Sequence, residues 1–144
     1  MTAIKKINTT KSKYMSIFNT FFGDSGKQKS EQGSMKWISL ENLSQLDEIE
    51  ALSNNMPVVI FKHSTRCSIS RMALKQFEEE FDSEDKVSAY FLDLILHRDV
   101  SNEIASRFKV VHQSPQLLLI KDGSSIYNVS HDSIDATDLK NKLE

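Results

Sequence analysis

Cysteine is almost absent: among 144 residues there is one, Cys67. A single sulfur excludes an internal disulfide framework and any metal site built from several cysteines, so no metal is expected. A lone thiol gives a secreted protein no staple, which makes a reducing cytoplasm the expected location. Long apolar runs are missing too, none approaching the roughly 18 residues of a membrane span, and no membrane partner is expected. The lysines ahead of MSIFNTFF lead into GDSGKQ and not into a small-residue cleavage site, which argues against a secretory signal. In the cytoplasm the sequons at Asn42 and Asn128 would stay unglycosylated. Neither sign of charge dominates, since 18 basic and 20 acidic residues leave a net charge of -2, so nucleic acid is not an expected partner.

Glycine and proline are scarce as well, at four and two. Three of the glycines fall in GDSGKQKSEQGS, Gly23 to Ser34, which has linker composition. GDSGK is no phosphate loop: its glycines are too close together, and Gln28 stands where a hydroxyl residue is needed. Residues 1–34 therefore read as an N-terminal arm and linker, with Ile17, Phe18, Phe21 and Phe22 at helical spacing. A domain is expected over residues 35–144. Met15 and Met35 leave the start of translation open.

From Lys36 the patterns alternate. KWISL reads as a short strand, and Leu43, Leu46, Ile49 and Leu52 as one helix face ending at Asn54-Asn55. Pro57 opens VVIF, a run suited to a strand buried on both faces. Ile69, Met72, Ala73, Phe77 and Phe81 mark a helix face, backed by the acidic run Glu78 to Glu80. VSAYFLDLIL reads as a strand, and Ser101-Asn102, with Glu103 in the first turn, as the start of a helix carrying Ile104 and Phe108. Asp122-Gly123 between two apolar runs predicts a hairpin, followed by a helix with Leu139 and Leu143 capped in the Ser133–Asp135 region. The expected order is β-α-β-α-β-α-β-β-α.

This order, with a cysteine after the second strand and a proline opening the fourth, resembles the thioredoxin fold: α/β, a central mixed β-sheet flanked by helices. KHSTRCSISRMAL together with VVHQSPQLLLIKDG is similar to the YtxJ family of monothiol bacilliredoxins, from bacteria that use bacillithiol as their small thiol. The resemblance spans about Met35 to Glu144. It implies a monothiol thiol–disulfide oxidoreductase that removes bacillithiol from protein mixed disulfides, with bacillithiol as co-substrate and no bound cofactor. Its partners would be S-bacillithiolated proteins and a low-molecular-weight thiol. Cys67 would be the catalytic nucleophile, with Thr65, Arg66, Ser68, Ser70, Ser114 and Pro115 around the substrate. The resemblance also implies that the Ser114-Pro115 bond is cis and faces the cysteine, against a base rate of about one X-Pro bond in twenty.

The residues support part of this on their own. A thiol attacks as its thiolate, which the unpaired N–H groups at a helix start favour. Arg66, and Lys62 or His63 upstream, would add positive potential. In C-x-x-C oxidoreductases the second sulfur resolves the mixed disulfide; here the run is Cys67-Ser68-Ile69-Ser70, so an outside thiol must do so. Ser70 would otherwise be plain helix surface or a first-turn hydrogen-bonding group. His63 and His112 flank the two motifs, His97 and His131 look peripheral, and Trp37 fits a core or edge aromatic. Two other readings stand beside the enzyme. One is a non-catalytic thioredoxin-fold adaptor or redox-sensing module. The other is iron–sulfur carriage by a dimer, which CSIS disfavours for want of the glycine and phenylalanine of monothiol glutaredoxins.

Overall fold

The computed structural model describes residues 35–144; the expected arm and linker lie outside the described residues. The elements are β1 (Ile38–Ser39), α1 (Ser44–Leu52), β2 (Val58–His63), α2 (Ser68–Glu80), β3 (Ser88–Asp93), α3 (Arg98–Phe108), β4 (Gln116–Lys121), β5 (Ser124–Ser130) and α4 (Ala136–Leu143). The strands form one mixed sheet in the order β1-β3-β2-β4-β5. β1 and β2 run parallel to β3, whereas β4 is antiparallel to both β2 and β5.

Side chains alternate across a strand, so the sheet divides the core in two. On one face Val58, Ile60, Leu92, Leu118 and Ile120 pack with Leu46 and Ile49 of α1 and with Val100, Ile104 and Phe108 of α3. On the other, Val59, Phe61, Ala89, Leu117 and Leu119 pack with Phe77 and Phe81 and with Leu139 of α4. Trp37 joins this second core edge-on to Phe61, and its indole N–H donates to Glu78 at 2.7 Å.

Among the sequence expectations that change, three bear on the site. β2 runs two residues past VVIF and is buried throughout, taking Lys62 and His63 into the interior. The buried stripe of α2 runs through Ser70 and Phe77, while Ile69 and Met72 are 58% and 70% exposed. A polar residue at the head of the stripe had concealed its true phase. α3 begins at Arg98, a turn before Ser101, because Val100 is fully buried and starts the Val100–Ile104–Phe108 stripe. Ser101 is therefore buried within the helix, and Glu103 pairs with Arg107 at 3.2 Å.

The hairpin turns where expected. Asp122 and Gly123 both have positive φ, 51° and 78°, as a two-residue turn matched to strand twist requires. Asp135 caps α4, its carboxylate accepting the Asp138 N–H at 2.9 Å.

Candidate functional site

The parallel strand β2 ends where the antiparallel strand β4 begins, with Lys62 opposite Gln116. The loop leaving β2 and the loop entering β4 therefore meet at one end of the sheet. The first carries Cys67 and the second carries Ser114-Pro115.

Four residues separate β2 from α2. The Cys67 N–H donates to the Ser64 carbonyl at 3.1 Å, and the Cys67 carbonyl accepts the Arg71 N–H at 3.1 Å, the first bond of the helix. Cys67 is thus the N-cap, with extended backbone (φ −109°, ψ 121°) and no side-chain capping bond. Its half-buried thiol stands beside the N–H groups that the first helical turn leaves without intrahelical partners. Thr65, Arg66 and Ser68 are exposed around it. Arg71 steadies the corner by donating to the Thr65 carbonyl at 3.3 Å.

Ser70 is not helix surface. It is fully buried, accepts the Ser64 N–H at 3.1 Å and lies 2.8 Å from His63 Nδ1. The hydroxyl and Nδ1 share one hydrogen bond, whose direction follows the imidazole tautomer. His63 is held neutral: burial lowers its pKa, as does the nearby Arg71 charge, while Asp93 opposes them. The positive potential expected from His63 is therefore weakened, since a buried imidazole loses more by desolvation than one carboxylate restores. Ser70 and His63 instead pin the first turn of α2 to the end of β2, directly beneath the cysteine corner.

Lys62 points to the opposite face. Its side chain is fully buried, and its ammonium donates to His112 Nδ1 at 2.7 Å, with Ser101 Oγ 3.5 Å from the same nitrogen. Burial pulls the Lys62 pKa down to about 8. His112 is lowered as well, by its own desolvation and then by the charges of Lys62 and Arg98. The preceding loop is held by buried Gln116, which donates to the Val111 carbonyl at 3.0 Å and accepts the Gln113 N–H at 3.4 Å. The Ser114-Pro115 bond is cis, and the Ser114 hydroxyl is buried without a partner among the described residues.

In the sequence Lys62 reads only as a source of potential and Gln116 gives no signal, because a polar residue inside a strand looks like its end. His131, expected to be peripheral, donates its backbone N–H to the Pro115 carbonyl at 3.0 Å. It also lines a groove of about 260 Å³ with Ile69, Met72 and Asp132, among others. Among the described residues no group of three His, Cys, Asp or Glu side chains is arranged to hold a metal ion, and no helix is long and apolar enough to cross a membrane.

Comparison with known proteins agrees with this geometry. A solved structure described as a candidate oxidoreductase with a thioredoxin fold is 32% identical, covers 74% of this chain and 93% of its own, and superposes with a TM-score of 0.65. The thioredoxins of Malassezia sympodialis (20% identity, 76% and 89% coverage, TM-score 0.59) and Fasciola hepatica (17%, 73% and 94%, 0.57) share the fold. The family described as monothiol bacilliredoxin BrxC matches residues 38–139. A thioredoxin fold of thiol-oxidoreductase type, with one cysteine at the helix start and a buried serine three residues on, places the chain in the monothiol bacilliredoxin family.

Proposed function

We propose that the protein is a cytoplasmic monothiol exchanger that takes bacillithiol from protein mixed disulfides onto Cys67. The observation that carries this reading is the pairing of a half-exposed N-cap thiol with Ser70 locked to His63 in the place of a second sulfur. The Cys67 thiolate attacks the bacillithiol sulfur of protein–S–S–bacillithiol, the S–S bond breaks, and the target leaves as its thiolate. A second bacillithiol thiolate then attacks the outer sulfur of Cys67–S–S–bacillithiol. This releases Cys67 and forms bacillithiol disulfide, so two thiol–disulfide exchanges balance without an external oxidant.

Thr65, Arg66 and Ser68 border the incoming disulfide from the α2 side, and Ser114 and Pro115 from the β4 side, where an extended target segment can pair with backbone. The exposed Ile69 and Met72 offer the target an apolar surface beside the thiol.

Stopped-flow release of the small thiol from the loaded protein tests the mechanism. Wild type should release it at a rate proportional to added thiol, Ser70→Cys should release it without added thiol, and Cys67→Ser should never load. Concentration-independent release by wild type would exclude the monothiol route. Normal target binding by Cys67→Ser with no exchange by wild type would favour an adaptor.

A further inference from the structure

Lys62 presents an unbalanced charge. Its ammonium is fully buried, yet among the described residues no carboxylate lies within 4 Å of it, and its one hydrogen-bond partner is an uncharged imidazole. A buried cation is costly unless something negative answers it. Asp93, at the end of β3, acts instead on His63 and accepts the Ile95 N–H at 3.0 Å, and Asp99 is exposed on the first turn of α3. Arg98, the other nearby charge on α3, adds positive potential at His112.

The ammonium can only donate, so His112 Nδ1 accepts and the imidazole proton sits on Nε2. Nε2 lies on the far side of the ring from Lys62, and His112 itself is exposed. A polarised N–H donor backed by a buried charge thus belongs to an exposed residue, three positions before Pro115. Arg98 and the N-terminus of α3, which no side chain caps, stand on the same side. The unpartnered Ser114 hydroxyl belongs to the same loop.

We propose that Lys62, His112 and Arg98 form a carboxylate-binding subsite that orients the anionic end of the low-molecular-weight thiol as it attacks the Cys67 mixed disulfide. His112 Nε2–H and the Arg98 guanidinium contact the carboxylate, and Lys62 acts through His112. The inference rests on the exchange reading for its reaction step: the small thiolate attacks the outer sulfur, the S–S bond to Cys67 breaks, and Cys67 leaves as thiolate. The carboxylate takes no covalent part.

Two thiols of similar size separate charge from sulfur: mercaptosuccinate carries two carboxylates and monothioglycerol none. Release of a preformed Cys67 mixed disulfide by each gives a rate ratio. Lys62→Met and His112→Phe should lower the mercaptosuccinate to monothioglycerol ratio at least about fivefold, the scale of one charge-assisted contact. Arg98→Gln, at an exposed position, should lower it about twofold. A ratio unchanged in all three variants overturns the subsite.

If neither thiol releases Cys67 from wild type, the exchange reading itself fails. The subsite is then judged by titrating Cys67→Ser protein with malate while following the His112 imidazole NMR signals. Saturable shifts that vanish in Lys62→Met support it, and their absence removes it. Peptide disulfides with Glu or Gln beside the cysteine locate the source of the carboxylate. Sensitivity to Lys62→Met confined to the Glu peptide would assign the subsite to target proteins and overturn the small-thiol assignment.

Discussion

His63 and Lys62 are consecutive residues of one buried strand, and the chain uses them in opposite ways. His63 faces α2 and completes a closed, uncharged set with Ser70 and the Ser64 N–H. Lys62 faces α3 and among the described residues reaches only His112, so its set stays open and charged. A closed polar set inside a protein fixes geometry, whereas an open one keeps donors and charge in reserve. The first holds the cysteine corner still, and the second gives the proline loop something to offer a ligand.

The largest effect that sharpens this contrast is alkaline. The folded pKa of Lys62, about 8, lies below its ordinary 10.5. At pH 7 both folded and unfolded chains are protonated there, and the folded state bears the desolvation cost. Between about 8 and 10.5 only the unfolded chain keeps the proton, so the cost is relieved as pH rises. Denaturant unfolding should show wild type gaining on the order of 3 kcal/mol relative to Lys62→Met across that window, at about 1.4 kcal/mol per pKa unit. Parallel stability curves would mean that an anion already answers Lys62.

Ser70→Ala should break the closed set. It strands the half-buried Ser64 N–H and the buried His63 Nδ1, costing about 1–3 kcal/mol in urea unfolding. Thiol exchange should slow with it as the corner loosens. An unaffected variant would show that packing alone holds α2 to β2.

The smallest effect is acidic. Both imidazoles are lowered from 6.5 by burial, so from about pH 6.5 downward the unfolded chain takes up protons that the folded chain refuses, and stability falls. His63→Phe, which keeps a ring against Phe91 at the present 5.3 Å spacing, should flatten that acid limb. His112→Phe should flatten it too, but less, because an exposed ring is more easily hydrated. Equal changes would erase the distinction between the two sets.

Much of this was legible in the linear chain. Apolar spacing carried the element order, since burying one face of a helix or both faces of a strand leaves a period that survives without coordinates. Asp122-Gly123 announced its turn by the backbone angles it tolerates, and the run from Cys67 to Ser70 announced a thiol without a second sulfur. What the chain could not announce was the fate of polar residues drawn inside. Lys62, His63, Ser70, Ser101 and Gln116 all look like surface or element ends, because hydropathy scores a side chain alone, whereas burial of a polar group depends on a partner supplied by another element. The sequence puts Ser70 where a second sulfur would stand, but only packing of α2 on β2 brings it to His63. Lys62 meets His112 fifty residues away because β2 and β4 lie side by side in the sheet. Local pattern determined which segments are strands and helices and where the thiol sits; tertiary structure decided which polar groups close on each other and which remain open, since those pairings exist only once the sheet is assembled.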